Sequence, residues 1–390
     1  MKYHASQYPQ DKISKLLSDN LYVDNLLATS NDPAFLEQVY RVSRQRMADG
    51  GFELRSWNTN DATLADVMQK EGTRVTHNKA HEKVLGYEYN VSVDTLRLAQ
   101  VEISSSVNTK RGMLSEISKV FDPLGMFLPV TIRGRILLRQ LWIDKMDWDQ
   151  QVAPEYLEIW RKLSSDLNRL SSLEFKRNAV QSDNNRLVIF CDASKVVYGF
   201  NMYAVGNDSS NLIFAKSKVS PIEPRSLPTL ELLSVFLALK CLHSVLSSYE
   251  SSTFSSITVG VDAQIVLSWI LSGNVKTKNL FTRNRVRDIL STLAEIKSKF
   301  NINIDFKYVR SQENPSDMLT RGLSAVEFGE RFDMWLSGPS WLVESPFSWP
   351  MANLGCLSSS SKESALANSN NDVDQSTTCV MNNLRAIIYL

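Results

Sequence analysis

Four carboxylates between residues 186 and 322 stand where an acid is costly. Asp192 ends the apolar run of LVIFCDAS, and Glu231 sits among leucines in LPTLELLSVF. Asp262 separates ITVGV from AQIVLSWI, and Asp317 follows Asn314-Pro315 in NPSDMLTRG. An ionised acid beside a core is unfavourable unless something compensates it. Four acids converging on one point make a strong site for divalent metal, and phosphodiester cleavage is the chemistry that wants one. Taken singly, each has a plainer reading. Asp192 reads as a turn former, Glu231 as an N-terminal glutamate favoured by the helix dipole, Asp262 as an N-cap, and Asp317 as a cap or first-turn acid. For Glu231 the apolar spacing that follows weighs against that plain reading. Val235, Ala238, Leu239 and Leu242 follow it at helical spacing, and a helix needing only solubility would carry its acid on the other face.

The elements that must position these acids alternate as in an α/β domain. RLVIFCD is a continuous apolar run and predicts a buried central strand. Residues 196–205 and 211–219 follow closely enough to be its antiparallel partners. Residues 227–246 predict a helix with Pro228 in its first turn. Residues 257–261 predict a fourth strand, 263–271 a helix, and 302–309 a half-buried strand of period two. Upstream, residues 106–185 are largely helical, and the polar QSDNN stretch at 181–185 marks a boundary. The Ser- and Asn-rich tail lacks any periodic apolar pattern and predicts disorder.

Bulk composition narrows the choices. The chain has 390 residues, 43% hydrophobic and 22% charged, with a net charge of +1. Nucleic-acid binding must therefore come from local patches. One such patch is KTKNLFTRNRVR, where Lys276, Lys278, Arg283, Asn284 and Arg285 are candidate phosphate contacts; its plainer reading is a solvated helix face. The four cysteines show no paired spacing, and the N-terminus lacks a targeting core. No apolar stretch approaches the ~20 residues of a membrane span. Together these features predict an intracellular protein, cytoplasmic or nuclear, that is not secreted and has no membrane partner. None of the four histidines lies near the acids, which disfavours a zinc site or a histidine-based nucleophile.

The order of the acids, strand-end Asp, helix-start Glu, strand-end Asp and final helical Asp, resembles the ribonuclease H fold. The words CDAS, TLELL, VDAQIVLSWI and NPSDMLTRG resemble ribonuclease H segments of retroelements, above all of BEL/Pao retrotransposons. The resemblance implies a mixed five-stranded sheet with flanking helices over 186–322. It implies two Mg²⁺ ions, for which Mn²⁺ can substitute, and the RNA strand of an RNA–DNA hybrid as substrate. It further implies that Asp192 bridges both ions, Glu231 and Asp262 complete the leaving-group site, and Asp317 completes the water-side site. The loop before Asp317 lacks the histidine some ribonucleases H carry there. Glu313 is the acid available for product release.

Flanking words extend the resemblance to other Pol segments. LYVDNLL resembles a reverse-transcriptase palm hairpin, with Tyr22 and Asp24 present but Asn25 where a second Asp is expected. Residues 1–105 are thus expected to be a truncated palm end and thumb, and 106–185 a connection region. Within the latter, Phe121-Asp122-Pro123-Leu124-Gly125 reads as a turn, and Arg133, Arg135 and Arg139 are surface candidates for nucleic acid. Residues 323–355 resemble a linker toward an integrase, and 356–390 form the tail. The expectation is a Pol slice truncated at both ends, with ribonuclease H activity and no competent polymerase. The alternatives are an inactive nucleic-acid-binding remnant and an aspartic peptidase, after a label often given to this region. The absence of Asp-Thr-Gly or Asp-Ser-Gly argues against the peptidase.

Overall fold

The computed structural model describes residues 2–5, 7–8, 11–22, 25–30, 32–54, 57–75, 82–180, 184–273 and 279–353. The expected disordered tail lies outside these residues, as do Asp24, Lys276 and Lys278.

A mixed sheet organises the carboxylate region. Its strands are β1 (Asn185–Ala193), β2 (Val197–Val205), β3 (Ser210–Val219), β4 (Phe254–Val261), β5 (Ile304–Val309) and the two-residue β6 (Met351–Ala352), in spatial order β6-β5-β4-β1-β2-β3. β1, β2 and β3 form an antiparallel meander, whereas β4 runs parallel to β1 and β5 parallel to β4. Parallel neighbours need a crossover. Leu227–Ser247 (α4) returns the chain from β3 to β4. Gln264–Ser272 (α5) and Leu280–Phe300 (α6) carry it from β4 to β5. β1 lies between two neighbours, and every residue of it except Arg186 is buried, which explains its unbroken apolar run. The five expected strands are present, and β6 adds an antiparallel edge to β5.

One face of the sheet is covered by elements local to it. Leu187, Ile189 and Cys191 of β1 and Phe200, Met202 and Ala204 of β2 pack with Leu232, Val235, Leu239 and Leu242 of α4. At 21 residues and a mean hydropathy of 1.6, α4 is long and apolar enough to cross a membrane, contrary to the sequence expectation. Its apolar residues are instead mostly buried against the sheet, as in the core helix of a soluble fold.

The opposite face is covered from a distance. Val188, Phe190, Tyr203, Val205, Leu212 and Ala215 pack with residues from 84–175 and 309–349. The upstream contributors include Lys110–Ser118 (α1), Leu128–Ile143 (α2) and Pro154–Arg169 (α3), with a four-stranded antiparallel sheet built by Glu82–Val84, Tyr87–Asn90, Thr95–Leu98 and Glu174–Lys176. The downstream contributors are Asp317–Arg321 (α7), Ala325–Glu330 (α8) and Phe332–Ser337 (α9). Trp335 is fully buried and donates its indole N–H to the Met126 carbonyl at 2.8 Å, while the Tyr203 hydroxyl donates to the Trp335 carbonyl at 2.9 Å. The described part, 323–353, of the segment expected as a linker (323–355) packs here through Phe328, Phe332, Trp335 and Trp349, while Phe347 is exposed.

The turn at 121–125 joins this wall to the β3 edge. Gly125 has φ +75°, as the sequence required, and a Cβ there would lie 2.1 Å from the Ala215 carbonyl oxygen. The Ala215 amide donates to the Leu124 carbonyl at 2.9 Å. Asp122 is held by the Tyr87 hydroxyl at 2.5 Å and the Met126 and Phe127 amides at 3.0 and 2.9 Å, although burial still pushes its carboxyl upward. Of the α2 arginines, Arg133 and Arg139 are half-buried and Arg135 is exposed. Arg133 bonds Asp166, Arg135 reaches the Ser217 carbonyl, and Arg139 reaches those of Ser220 and Pro221. These bonds fasten α2 to neighbouring segments.

The N-terminal residues build their own core from Leu17, Leu36, Tyr40, Trp57 and Met68. Tyr22 and Asn25 are partners in a two-stranded antiparallel pair.

Candidate metal centre

The parallel pairing of β1 and β4 explains how two acids meet. Cys191 is in register with Val261, so Asp192 and Asp262 emerge side by side at the same sheet edge. That edge, at the carboxyl ends of parallel strands, is where open α/β sheets bind ligands. Glu231 enters from the first turns of α4, whose following residues Ser234, Val235 and Ala238 are buried. One ligand oxygen from each of Asp192, Glu231 and Asp262 lies within 4.8 Å of the others. Asp192 and Glu231 are 4% and 5% exposed, too little for water to compensate their charge.

The electrostatics follow from this crowding. Burial pushes Glu231 up to about 10, with Asp262 and Asp192 adding to the shift. Burial likewise raises Asp192 to about 6, opposed by the Thr320 hydroxyl and reinforced by Asp262 and Asp317. Asp262 is raised mainly by burial, against the Ser311 hydroxyl. Glu231 Oε2 and Asp262 Oδ1 are buried without any hydrogen-bond partner. Buried polar oxygens are seldom left so, because each forfeits its hydration. Three carboxylates with two orphaned oxygens and no sulfur or nitrogen donor fit a hard divalent cation.

Asp317 stands beside this triad but outside it. It is the first residue of α7, and its Oδ1 accepts from Arg321 Nε at 2.7 Å. Its charge is felt by both Asp192 and Asp262. Glu313 is not loose, since Trp341 Nε1 donates to its Oε2 at 2.8 Å.

Sequence reasoning missed the polar residues that seat α7. Asn314 Nδ2 donates to the Cys191 carbonyl at 2.9 Å, and the Ser316 hydroxyl lies 2.7 Å from the Phe190 carbonyl. Thr320 donates to Asp192 Oδ2. The available signal was spacing, because Thr320 lies one helical turn after Asp317 and shares its face.

The described residues of the basic stretch differ in exposure and partners. Arg283 is exposed and Asn284 half-buried. The Arg285 guanidinium lies 4.0 Å from the Phe236 ring centroid and 5.2 Å from that of Phe281, and it pairs with Asp288 at 3.2 Å. Burial lowers its pKa, so it is part of an aromatic stack more than a free phosphate contact.

A family model described as a Pao retrotransposon-like RNaseH-like domain matches residues 109–263. No curated protein matches the chain. Among solved structures, a foamy viral protease-reverse transcriptase in complex with double-stranded DNA is 14% identical with a TM-score of 0.44, covering 72% of this chain and 44% of its own. The chain thus spans less than half the length of that relative. The N-terminal RNase H domain of rv2228c from Mycobacterium tuberculosis, fused to maltose binding protein, is 14% identical with a TM-score of 0.26, covering 37% of this chain and 99% of its own. LC11-RNase H1, isolated from compost by a metagenomic approach, is 12% identical with a TM-score of 0.26, covering 40% of this chain and 94% of its own. All three TM-scores are below 0.5. The matched region runs from the start of α1 to just past Asp262, and its description is RNaseH-like rather than peptidase. Residues 109–263 are thus similar to a Pao retrotransposon-like RNaseH-like domain.

Proposed function

We propose that the chain is a metal-dependent nuclease that hydrolyses the RNA strand of RNA–DNA hybrids. The observation that carries this reading is the buried convergence of Asp192, Glu231 and Asp262, two of them with orphaned oxygens. These three residues would hold divalent cations, and Asp317 would join them on release from Arg321. Two bound Mg²⁺ ions would activate water and stabilise the leaving oxygen of a phosphodiester. The protein's own part is to present the carboxylates at one sheet edge, screened by burial. Glu231 and Asp192 must give up the protons that burial favours, so cation binding releases protons. RNA would be selected by contacts to the 2′-hydroxyl, and Arg283 would meet a phosphate on the approaching strand.

The test uses the full chain with a labelled RNA–DNA hybrid and Mg²⁺, beside Asp192→Asn. The parent is expected to cleave, with the variant slower by ~10³-fold, several kcal/mol of lost charge stabilisation. Hybrid binding without cleavage by either protein would instead make the chain a binding remnant. Equal cleavage by both would place the reaction elsewhere.

A further inference from the structure

Helix α7 is only five residues long, yet it buries a threonine against the carboxylates. Thr320 is 1% exposed, and its hydroxyl donates to Asp192 Oδ2. Among the described residues its other acceptor, the Asp317 carbonyl, is at 3.3 Å. The Thr320 carbonyl is itself engaged, 3.1 Å from the Ser194 hydroxyl in the turn that follows Asp192. Ser194 in turn accepts from the Val196 and Val197 amides, so the turn and the helix are tied through one side chain.

The backbone makes room for this contact. Gly199 on β2 is paired with Asp192, and a Cβ there would lie 2.6 Å from Leu319 Cδ1. The same Cβ would lie 2.6 Å from the Lys216 carbonyl oxygen on β3, so glycine lets β3 and the Leu319 side chain of α7 both pack closely here. Asn314 and Ser316 hold the other end of the segment to the Cys191 and Phe190 carbonyls. Thr320 is thus presented to Asp192 by a rigid frame.

We infer that Thr320 is a positioning residue whose hydroxyl fixes the Asp192 carboxylate in the orientation that faces Glu231 and Asp262. An Asp192 without this bond keeps the Ala193 amide but loses its side-chain partner, so its Oδ2 is no longer fixed for convergence with Glu231 and Asp262. Groups that orient metal-holding side chains typically contribute about 10–100-fold in metal affinity. The methyl group of Thr320 is not required by this role, but the hydroxyl is.

This inference rests on the metal-holding reading of Asp192, and one experiment separates the two. Mn²⁺ binding to the full chain is measured by calorimetry without nucleic acid, for the parent, Thr320→Ser, Thr320→Ala and Asp192→Asn. Folding of each is checked by thermal melting in chelator. The parent and Thr320→Ser are expected to bind alike, and Thr320→Ala about tenfold or more weakly while staying folded. Should Thr320→Ala not fold, Thr320→Val, which keeps the branched shape, is judged by the same criterion. Parent-like binding by the hydroxyl-free variant overturns the role of Thr320 while leaving the metal reading intact, provided Asp192→Asn has lost binding. Equal weakening of the Ser and Ala variants also overturns it, since the hydroxyl would then be irrelevant. Binding by the parent no better than by Asp192→Asn removes the metal reading and this inference together.

Discussion

The two faces of the main sheet are built by opposite strategies. One is sealed by α4, α5 and α6, which lie between the strands they cover, so its core is drawn almost wholly from residues 180–306. The other is sealed by helices that precede the sheet and by short segments that follow it, with partners more than a hundred residues apart, such as Trp335 and Met126. The first face is the work of crossover connections that parallel strands oblige. The second depends on the chain on either side, and α7, which carries Asp317 and Thr320, belongs to it. The candidate site lies where both covers meet: Glu231 comes from the first, Thr320 from the second.

The severest way to break this contrast is to end the chain at residue 322. Such a protein loses Phe328, Phe332, Trp335 and Leu342 from the shared core. It is expected to lose cooperative melting and to bind a hydrophobic dye; a melt like that of the full chain would show the far cover to be dispensable. Single deletions then compare the faces directly. Trp335→Ala should cost about 3–5 kcal/mol and Leu239→Ala about 2–5 kcal/mol in urea unfolding. A cost below ~1 kcal/mol for Trp335 alone would make the second face a loose appendage.

Gly125→Ala sharpens the comparison at the seam. The substitution strains a φ of +75° and drives a Cβ against the Ala215 carbonyl. A loss of about 1–3 kcal/mol is expected, read as a lower urea midpoint with an unchanged slope. An unchanged midpoint would mean that the turn does not dock on β3.

The smallest effect concerns pH and lies in the site itself. Glu231 and Asp192 have folded pKa values above their unfolded ones, so the metal-free folded protein holds protons that the unfolded chain has released. Their contribution is most favourable below about pH 4, near the unfolded values. It declines as pH rises, through about 6 for Asp192 and toward about 10 for Glu231. Melting in chelator is therefore expected to weaken from acid toward alkaline pH. Glu231→Gln should flatten that slope and raise the melting temperature at alkaline pH by a few degrees, on the order of 1 kcal/mol, while abolishing cleavage. An identical slope in the variant would mean that Glu231 is not the group titrating.

Much of the local structure was legible in the residues. RLVIFCD announced a strand buried on both faces, and Pro228 with the apolar spacing after it announced α4. Gly125 announced a positive φ. The candidate acids were legible too, because each stands where an apolar pattern makes an acid conspicuous. What was not legible depended on who covers whom. The partners of Arg133, Arg135 and Arg139 were not legible, since a helix pattern does not reveal which carbonyls and carboxylates lie beside it. Residues 323–355 read as a linker, since their short elements have no period long enough to count.

The sequence by itself determined the strands, the long helices and the identity of the carboxylates, because these follow from patterns a few residues long. Only the tertiary structure decided that three of the acids converge, that Arg321 holds the fourth, and that Thr320 grips Asp192. The physical reason is range. Periodicity reports which face of an element is buried, whereas the approach of Asp192 to Asp262 depends on the register between β1 and β4. The seating of Thr320 depends on a glycine on another strand and a wall of aromatic residues from both ends of the domain.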